Sequence, residues 1–338
     1  MKPETQQSLL STEFIALPKA ELHLHLEGSV QPDTVCALAA RHSTPVSRDE
    51  VLRHYAYRDF PEFIEAFKWI TSLLREPADY GLVMRDLGEQ LLAQNVVYAE
   101  ITLSVGVMLL RQQRPEKNFE SIQAAAESFL NRGLRVNFVF DAVRQFGVDA
   151  AMRVVEAAEG CASQLIVAFG VGGDELSVPA SEFRPVFERA GSIGVHRLMH
   201  AGEIGGPKEI RDAIQLLGAE RIGHGIAAIH DRKLMDLLAE LRIPLEICPK
   251  SNVRTGALTR QMGVPAASIE QHPLPALFRH GIPVVLSTDD PAMFHTSLLS
   301  EYENAWCMGL REEELRRIVE MGFTYAFAGD VFHTNGAG

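Results

Sequence analysis

A (β/α)8 barrel is the fold this sequence predicts. Eight short apolar runs rich in β-branched residues alternate with longer stretches of helical periodicity, the pattern of βα units around a parallel sheet. The turn after the first run also lacks the glycine fingerprint that cradles phosphates in open dinucleotide-binding sheets. That favours a closed barrel of TIM type over the alternative, an open α/β sheet with a helical insertion. At 338 residues the chain exceeds the usual domain size, yet parallel barrels run this long as one domain. No Pro/Gly/Ser-rich linker or low-complexity tract divides it, so 1–338 is expected to form a single barrel domain.

The first strand is predicted over Glu21–Leu26. Residues 31–95 follow, rich in helix formers and in aromatics such as Tyr55, Tyr57, Phe63 and Trp69. They are expected to form extra helices over the active-site face, with the aromatics serving mainly as packing. The remaining strands are predicted over Val96–Leu103, Val136–Asp141, Leu165–Val171, Arg197–His200, Arg221–His224, Pro244–Cys248 and Pro283–Ser287. Between them lie helix candidates over Ala180–Gly191, Pro207–Leu217 and Asp231–Leu241. The last opens on an Asp N-cap signal ahead of Leu234, Leu237, Leu238 and Leu241 at helical spacing.

Composition narrows the class. With 46% hydrophobic and 22% charged residues, the sequence is ordinary for a globular protein with a large core. The net charge of -12, from 32 Lys+Arg against 44 Asp+Glu, repels phosphate backbones and anionic membrane surfaces. Nucleic acid and membrane are therefore not expected partners. Cys36, Cys161, Cys248 and Cys307 lie far apart with no Cys-x-x-Cys pair, which fits a reducing compartment. The stretch Met1 to Phe14 has no apolar signal core, and no run approaches the ~20 apolar residues of a membrane span. A cytoplasmic protein, monomer or homodimer, is expected.

The polar residues fall in register with the strands. The first run ends in His23-Leu24-His25-Leu26-Glu27-Gly28, and the fourth leads into Gly172-Gly173-Asp174-Glu175. The fifth leads into His200-Ala201-Gly202-Glu203, and the sixth ends Gly223-His224-Gly225. The seventh leads into Cys248-Pro249-Lys250-Ser251-Asn252, and the eighth into Ser287-Thr288-Asp289-Asp290-Pro291. In a barrel all these ends open on one face, where active sites are built. Singly, each has a plainer reading: His200 and His224 as core histidines, Asp289-Asp290 as a cap before Pro291, Asp174-Glu175 as a helix cap. Jointly those readings would bury several costly polar groups at one end without purpose. His42, His54, His196, His230 and His333 stand outside any motif and read as surface or structural.

In an extended segment residues two apart face the same way, so His23 and His25 form a bidentate seat for a divalent metal, most often zinc. A catalytic zinc keeps three or four protein ligands and a place for water. His23, His25, His200 and Asp289 supply that set for one Zn2+ per chain. Such a metal lowers the pKa of water towards ~7. Glu203, three residues beyond His200 and beside flexible Gly202, reaches the site without being a ligand and suits a general acid. His224 and Asp290 remain to orient and deprotonate the water, which completes the parts for a hydrolytic addition–elimination.

These segments, in this order between residues 23 and 291, resemble the adenosine deaminase family of metal-dependent amidohydrolases. The resemblance implies zinc on His23, His25, His200 and Asp289, and a small-molecule 6-aminopurine nucleoside as substrate. It implies that Glu203 protonates ring N1 while activated water adds at C6, that His224 positions and deprotonates that water, and that Asp290 contacts N7. The Gly173 N–H would meet N3, and ammonia would leave. His25, Glu27, Gly173 and Asp290 are the residues it places against the substrate, with Glu27 reaching towards the sugar and His272 structural. Gly173-Asp174-Glu175 resembles the nucleoside-deaminating branch, whereas the adenine-specific branch reads Ser-Glu here. Ala99–Ser104 and Phe67–Arg75 resemble bacterial members that deaminate 6-amino-6-deoxyfutalosine, whose bulky aromatic acid Arg75 or Lys68 would counter. Adenine deaminase and another amidohydrolase remain alternatives. A catalytically silent metal-binding relative would be expected to have lost a ligand or Glu203, and none is lost. The chain ends at Gly338, soon after Ala326–Asp330, where relatives continue through another helix; the tail from Thr334 reads as a truncation or a naturally short end.

Overall fold

In a computed structural model of the chain, which describes residues 9–58 and 60–328, all eight predicted runs are strands. They are β1 Lys19–His25, β2 Val96–Leu103, β3 Arg135–Val143, β4 Ile166–Gly172, β5 His196–Ala201, β6 Arg221–His224, β7 Leu245–Ile247 and β8 Val284–Leu286. Each pairs in parallel with the next, in chain order. The ends differ from the expected ones by a residue or two, and proline explains two cases. Pro244 and Pro283 have no N–H for the ladder, so they stand just outside β7 and β8 while their carbonyls accept from Ile222 and Leu245.

The barrel closes between β8 and β1 through the segment that carries Asp289. His25 N–H donates to the Asp289 carbonyl at 2.8 Å, and Asp289 N–H donates to the His23 carbonyl at 3.0 Å. The seam of the fold and two of its histidines are thus the same few residues.

Between β1 and β2 run the helices Pro32–Arg41, Arg48–Tyr55, Phe60–Thr71 and Pro77–Ala93. Phe60–Thr71 packs on the turn Glu27–Ser29 that follows β1, and Pro77–Ala93 lies along β2 and the helix Pro115–Glu127. The aromatics here act as fasteners. Tyr57 Oη donates to the Met293 carbonyl at 2.7 Å, and Phe63 stacks on Phe294 at 5.1 Å. The helix Arg232–Leu241 is capped as expected, Asp231 accepting from Leu234 N–H at 3.1 Å. The segment expected as one helix over 180–191 instead divides into a 3-10 turn, Ala180–Phe183, and the helix Arg184–Ser192. Pro185 is the reason, since proline is at home in a helix's first turn but breaks one from within. No helix of the described residues is long and apolar enough to cross a membrane. His333 and the tail from Thr334 lie outside the described residues.

Candidate active site

The strand ends bring four imidazoles and a carboxylate into one buried group. The His23 ring lies 5.4 Å from that of His25, 4.6 Å from His200 and 5.0 Å from His224. Asp289 Oδ1 is 3.3 Å from His25 Nε2 and 3.6 Å from His23 Nε2. One donor atom from each of His23, His25 and Asp289 fits within a 4.8 Å span, as does one from each of His23, His200 and His224. His224 therefore stands as close to this group as the residues expected to be ligands.

Buried nitrogens are normally hydrogen-bonded, yet His23 Nε2 and His200 Nδ1 have no partner here. Burial lowers His25 to about 4, His224 to about 3 and His200 well below its usual value. Neutral imidazole is the form that binds metal. Burial also opposes protonation of His23, but the Asp289 carboxylate 3.6 Å from its Nε2 and the Glu246 carboxylate bonded to its Nδ1 outweigh it and hold this ring at about 10. Asp289 stays well below its usual value despite burial, because three histidines surround it. An unpartnered His23 nitrogen facing the Asp289 carboxylate, with the His25, His200 and His224 rings beside it, is a donor set that fits a zinc ion.

Backbone strain marks the same place. Asp289 and His224 adopt φ of +65° and +60°, the left-handed region that residues other than glycine rarely enter. Such strain persists only where surrounding contacts enforce it.

Glu203 follows β5 and sits at the edge of the group, its Oε2 3.6 Å from His224 Nε2. Burial, with the nearby charges of Asp289 and Glu175, pushes its carboxyl up to about 8. Its loop is held by Glu175, which accepts from the N–H groups of Glu203 at 3.1 Å, Ile204 at 2.8 Å and Gly205 at 2.8 Å, and also from Gly202. Glu175 is thus a cap, as its plainer reading held, but for a loop 27 residues on.

Asp290 is buried beside Asp289 and is pushed well above its usual value by burial and by that neighbour's charge. A Cβ on Gly28 would lie 1.7 Å from Asp290 Oδ1, so glycine is what lets the carboxyl occupy this place. Glu27 is buried and raised to about 7 chiefly by burial. One of its oxygens accepts from Ser104 N–H at 3.1 Å, and the other has no partner. Gly173 opens the loop after β4 with φ of +98°, its space bounded by Gln145.

A hydrogen-bond chain behind His224 fixes its tautomer. Leu274 N–H donates to His272 Nδ1 at 3.1 Å, so His272 carries its proton on Nε2, 3.1 Å from Asn252 Oδ1. That orients the Asn252 amide, whose Nδ2 donates to His224 Nδ1 at 3.1 Å. His224 therefore presents Nε2–H to the site. Ser251 Oγ donates to Asp289 Oδ2 at 2.6 Å, and Glu246 Oε2 lies 2.8 Å from His23 Nδ1. The sequence reading gave Glu246 no role. The available signal was a charge inside an apolar strand, because buried charges need partners.

The family model for adenosine deaminase matches residues 18–332. Aminodeoxyfutalosine deaminase of Streptomyces coelicolor is 36% identical over 93% of this chain and 81% of its own. Adenosine deaminase of Edwardsiella ictaluri is 34% identical over 92% and 93%. The crystal structure of adenine deaminase from Arthrobacter aurescens superposes with a TM-score of 0.86 and 28% identity, covering 94% of this chain and 95% of that one. A match running through every strand of the barrel and every residue of the histidine–carboxylate group makes this chain a member of the adenosine deaminase family, and so a hydrolase acting on C–N bonds.

Proposed function

We propose that the chain removes the 6-amino group of an adenine-type nucleoside by hydrolysis, giving the inosine-type product and ammonia. One observation carries this reading: a partly buried carboxyl, Glu203, faces His224 Nε2 across the rim of the donor group. Deamination at C6 needs a proton at ring N1 while water adds to the adjacent carbon, and a carboxyl held near 8 keeps that proton at neutral pH.

His23, His25, His200 and Asp289 would hold one zinc ion. When bound, zinc is a Lewis acid that brings the ionisation of water within neutral pH. Glu203 delivers its proton to N1, and the Glu175 cap keeps its backbone from drifting. His224 offers Nε2–H to the attacking oxygen and so aims it rather than taking its proton, its ring held by Asn252 and His272. Once Glu203 is a carboxylate it takes the proton of the new C6 hydroxyl and passes it to the amino group, which leaves as ammonia as the C6 carbonyl forms. Asp290 stands against N7, and the Gly173 N–H against N3. The free oxygen of Glu27 is placed to accept from a sugar hydroxyl.

Two observations favour an extended nucleoside over adenosine itself. The relative with 36% identity is an aminodeoxyfutalosine deaminase. A cavity of about 670 Å3 between the loops at 72–77 and 111–118 is lined by Arg75, Arg111, Arg114 and Lys117 with no acidic residue. Arg111 is near enough to Glu27 for each to feel the other's charge. That pocket suits the carboxylate of an aromatic acid carried beyond the ribose. Lys68 does not line it and is ion-paired with Glu65, which leaves Arg75 as the counter-charge. Adenine deamination is the second reading, favoured by the Arthrobacter neighbour and weakened by Gly173-Asp174-Glu175.

The test is loss of absorbance near the adenine band when zinc-loaded protein meets adenosine, 2'-deoxyadenosine, 5'-methylthioadenosine, adenine and 6-amino-6-deoxyfutalosine in turn. Fastest turnover of 6-amino-6-deoxyfutalosine is expected. Turnover of adenine alone would replace the nucleoside reading, and no turnover by metal-loaded protein would end it.

A further inference from the structure

A second charged cluster lies inside the barrel, beneath His23. Glu100 of β2, Arg221 of β6 and Glu246 of β7 are all fully buried. Arg221 Nη2 donates to Glu100 Oε2 at 2.5 Å, and its Nε lies 2.6 Å from Glu246 Oε1. Its Nη1 donates to the Tyr325 carbonyl at 2.9 Å. The Phe327 ring covers the guanidinium at 3.6 Å and stacks on its own account against His196 at 4.3 Å. Glu100 Oε1 in turn accepts from Tyr98 Oη at 2.8 Å and from Phe327 N–H at 2.6 Å.

Both terminal nitrogens of the guanidinium are hydrogen-bonded, its Nε meets Glu246 as an ion pair without hydrogen-bond geometry, and one face is covered, so contacts on three sides hold Arg221. A planar fork permits this where an ammonium would not. Glu246 bridges that fork and His23 Nδ1, which turns His23 Nε2 towards Asp289. Carboxylates that grip the far nitrogen of a ligating histidine fix its ring and raise its basicity.

We propose that Arg221 is a positioning residue for the metal site: it holds Glu246 against His23, and Tyr325–Phe327, at the opposite end of the barrel from the catalytic face, lock that hold. The inference rests on the reading of His23, His25, His200 and Asp289 as metal ligands. It makes the segment after the last described helix, Glu312–Thr324, a determinant of metal retention. A merely structural ion cluster would behave otherwise. Disturbing it would lower stability and leave the zinc affinity of the folded protein unchanged.

The experiment measures zinc dissociation by competition with a chromogenic chelator, together with the visible spectrum of the cobalt(II)-loaded protein and the melting curve of the metal-free form. Glu246→Gln is expected to weaken zinc binding about 10- to 100-fold. Phe327→Leu, which removes only the stacked ring, should weaken it roughly threefold or more and alter the cobalt spectrum, while Phe327→Tyr restores both. Folded variants that all hold zinc within about twofold of the parent, with unchanged cobalt spectra, would overturn the proposal. Should Glu246→Gln fail to fold, the Phe327 pair decides alone, because that side chain is only partly buried. Unchanged zinc affinity in a protein that deaminates its substrate would defeat this inference and leave the deaminase reading standing. A parent protein that turns over nothing would do the reverse.

Discussion

At the mouth of the barrel Asp290 is buried and Glu203 partly so, and among the described residues no Lys or Arg pairs with either. One layer down, Glu100 and Glu246 share Arg221. Both groups place carboxylates where water is excluded, and burial raises every one of these acids unless something opposes it. At the mouth the Thr255 hydroxyl and the His23 charge oppose it too weakly, so Glu203 rises to about 8 and Asp290 climbs well above its usual value. Below, the Arg221 charge and the His23 hydrogen bond overcome burial and hold Glu246 under its ordinary value. The same chemical group thus holds its proton in one layer and is a fixed anion in the next. The difference is whether an arginine reaches it.

The comparison is broken most directly by removing one charge-bearing group from each layer's balance. Glu203→Gln should cut kcat by about 10²- to 10⁴-fold, the range for loss of a general acid. The metal should stay bound and the melting temperature should hold or rise, because a frustrated acid has gone. A large fall in melting temperature would show that the mouth is satisfied after all. Arg221→Met leaves two buried carboxylates without their cation, and breaking such a cluster costs about 3–5 kcal/mol. Denaturant unfolding of the metal-free protein measures that cost, and a loss under about 1 kcal/mol would mean that water already screens the triad. Gly28→Ala lies between these extremes, since its methyl would enter the space of Asp290 Oδ1. Displacement of that carboxyl should lower kcat/KM about 10²-fold, and unaltered kinetics would remove Asp290 from the substrate's surroundings.

How much of this was readable in the sequence divides along the same line. The mouth was legible because its residues fall together at the ends of apolar runs, so His23, His25, His200, Glu203, His224 and Asp289 stand out jointly although several have a plainer reading singly. The strands were legible for the same reason, and only local effects such as Pro185 and Pro244 moved the boundaries. The interior layer was not. Glu100 and Glu246 sit within runs that read as apolar, and Glu246 meets His23 across 223 positions of sequence. Strand periodicity says which way a side chain points, but only closure of the barrel says what it meets. Glu175 shows the intermediate case: its capping chemistry was plain, while the loop that it caps lies beyond local reach.

That cap provides the next prediction. Glu175 accepts from four consecutive backbone N–H groups around Glu203. Glu175→Gln keeps the shape but removes the charge, and the NH2 that replaces one carboxylate oxygen can no longer accept. Orphaned buried donors cost about 1–3 kcal/mol. Stability should fall by that amount, and kcat should fall with it as the loop loosens. If stability drops while kcat holds, the loop does not set the position of Glu203, and Gln261, which donates to the Glu203 carbonyl at 2.9 Å, is sufficient to hold it.

The smallest expected effect tests the mouth most finely. Thr255 Oγ1 contacts Glu203 Oε1 at 3.3 Å and also the Ser251 carbonyl at 2.9 Å. Donation to the carboxylate favours the ionised form and so works against the burial that keeps the proton on Glu203. Thr255→Val conserves volume and removes only the hydroxyl. If the hydroxyl restrains Glu203, its loss should lower kcat by roughly two- to fivefold through looser aim, with stability changed by no more than about 1 kcal/mol. If it serves mainly to hold the Ser251 turn, kcat will keep its value and the zinc affinity will fall instead, because Ser251 is the residue that steadies Asp289. The two readouts separate an influence on Glu203 from an influence on Asp289, within a single hydroxyl group.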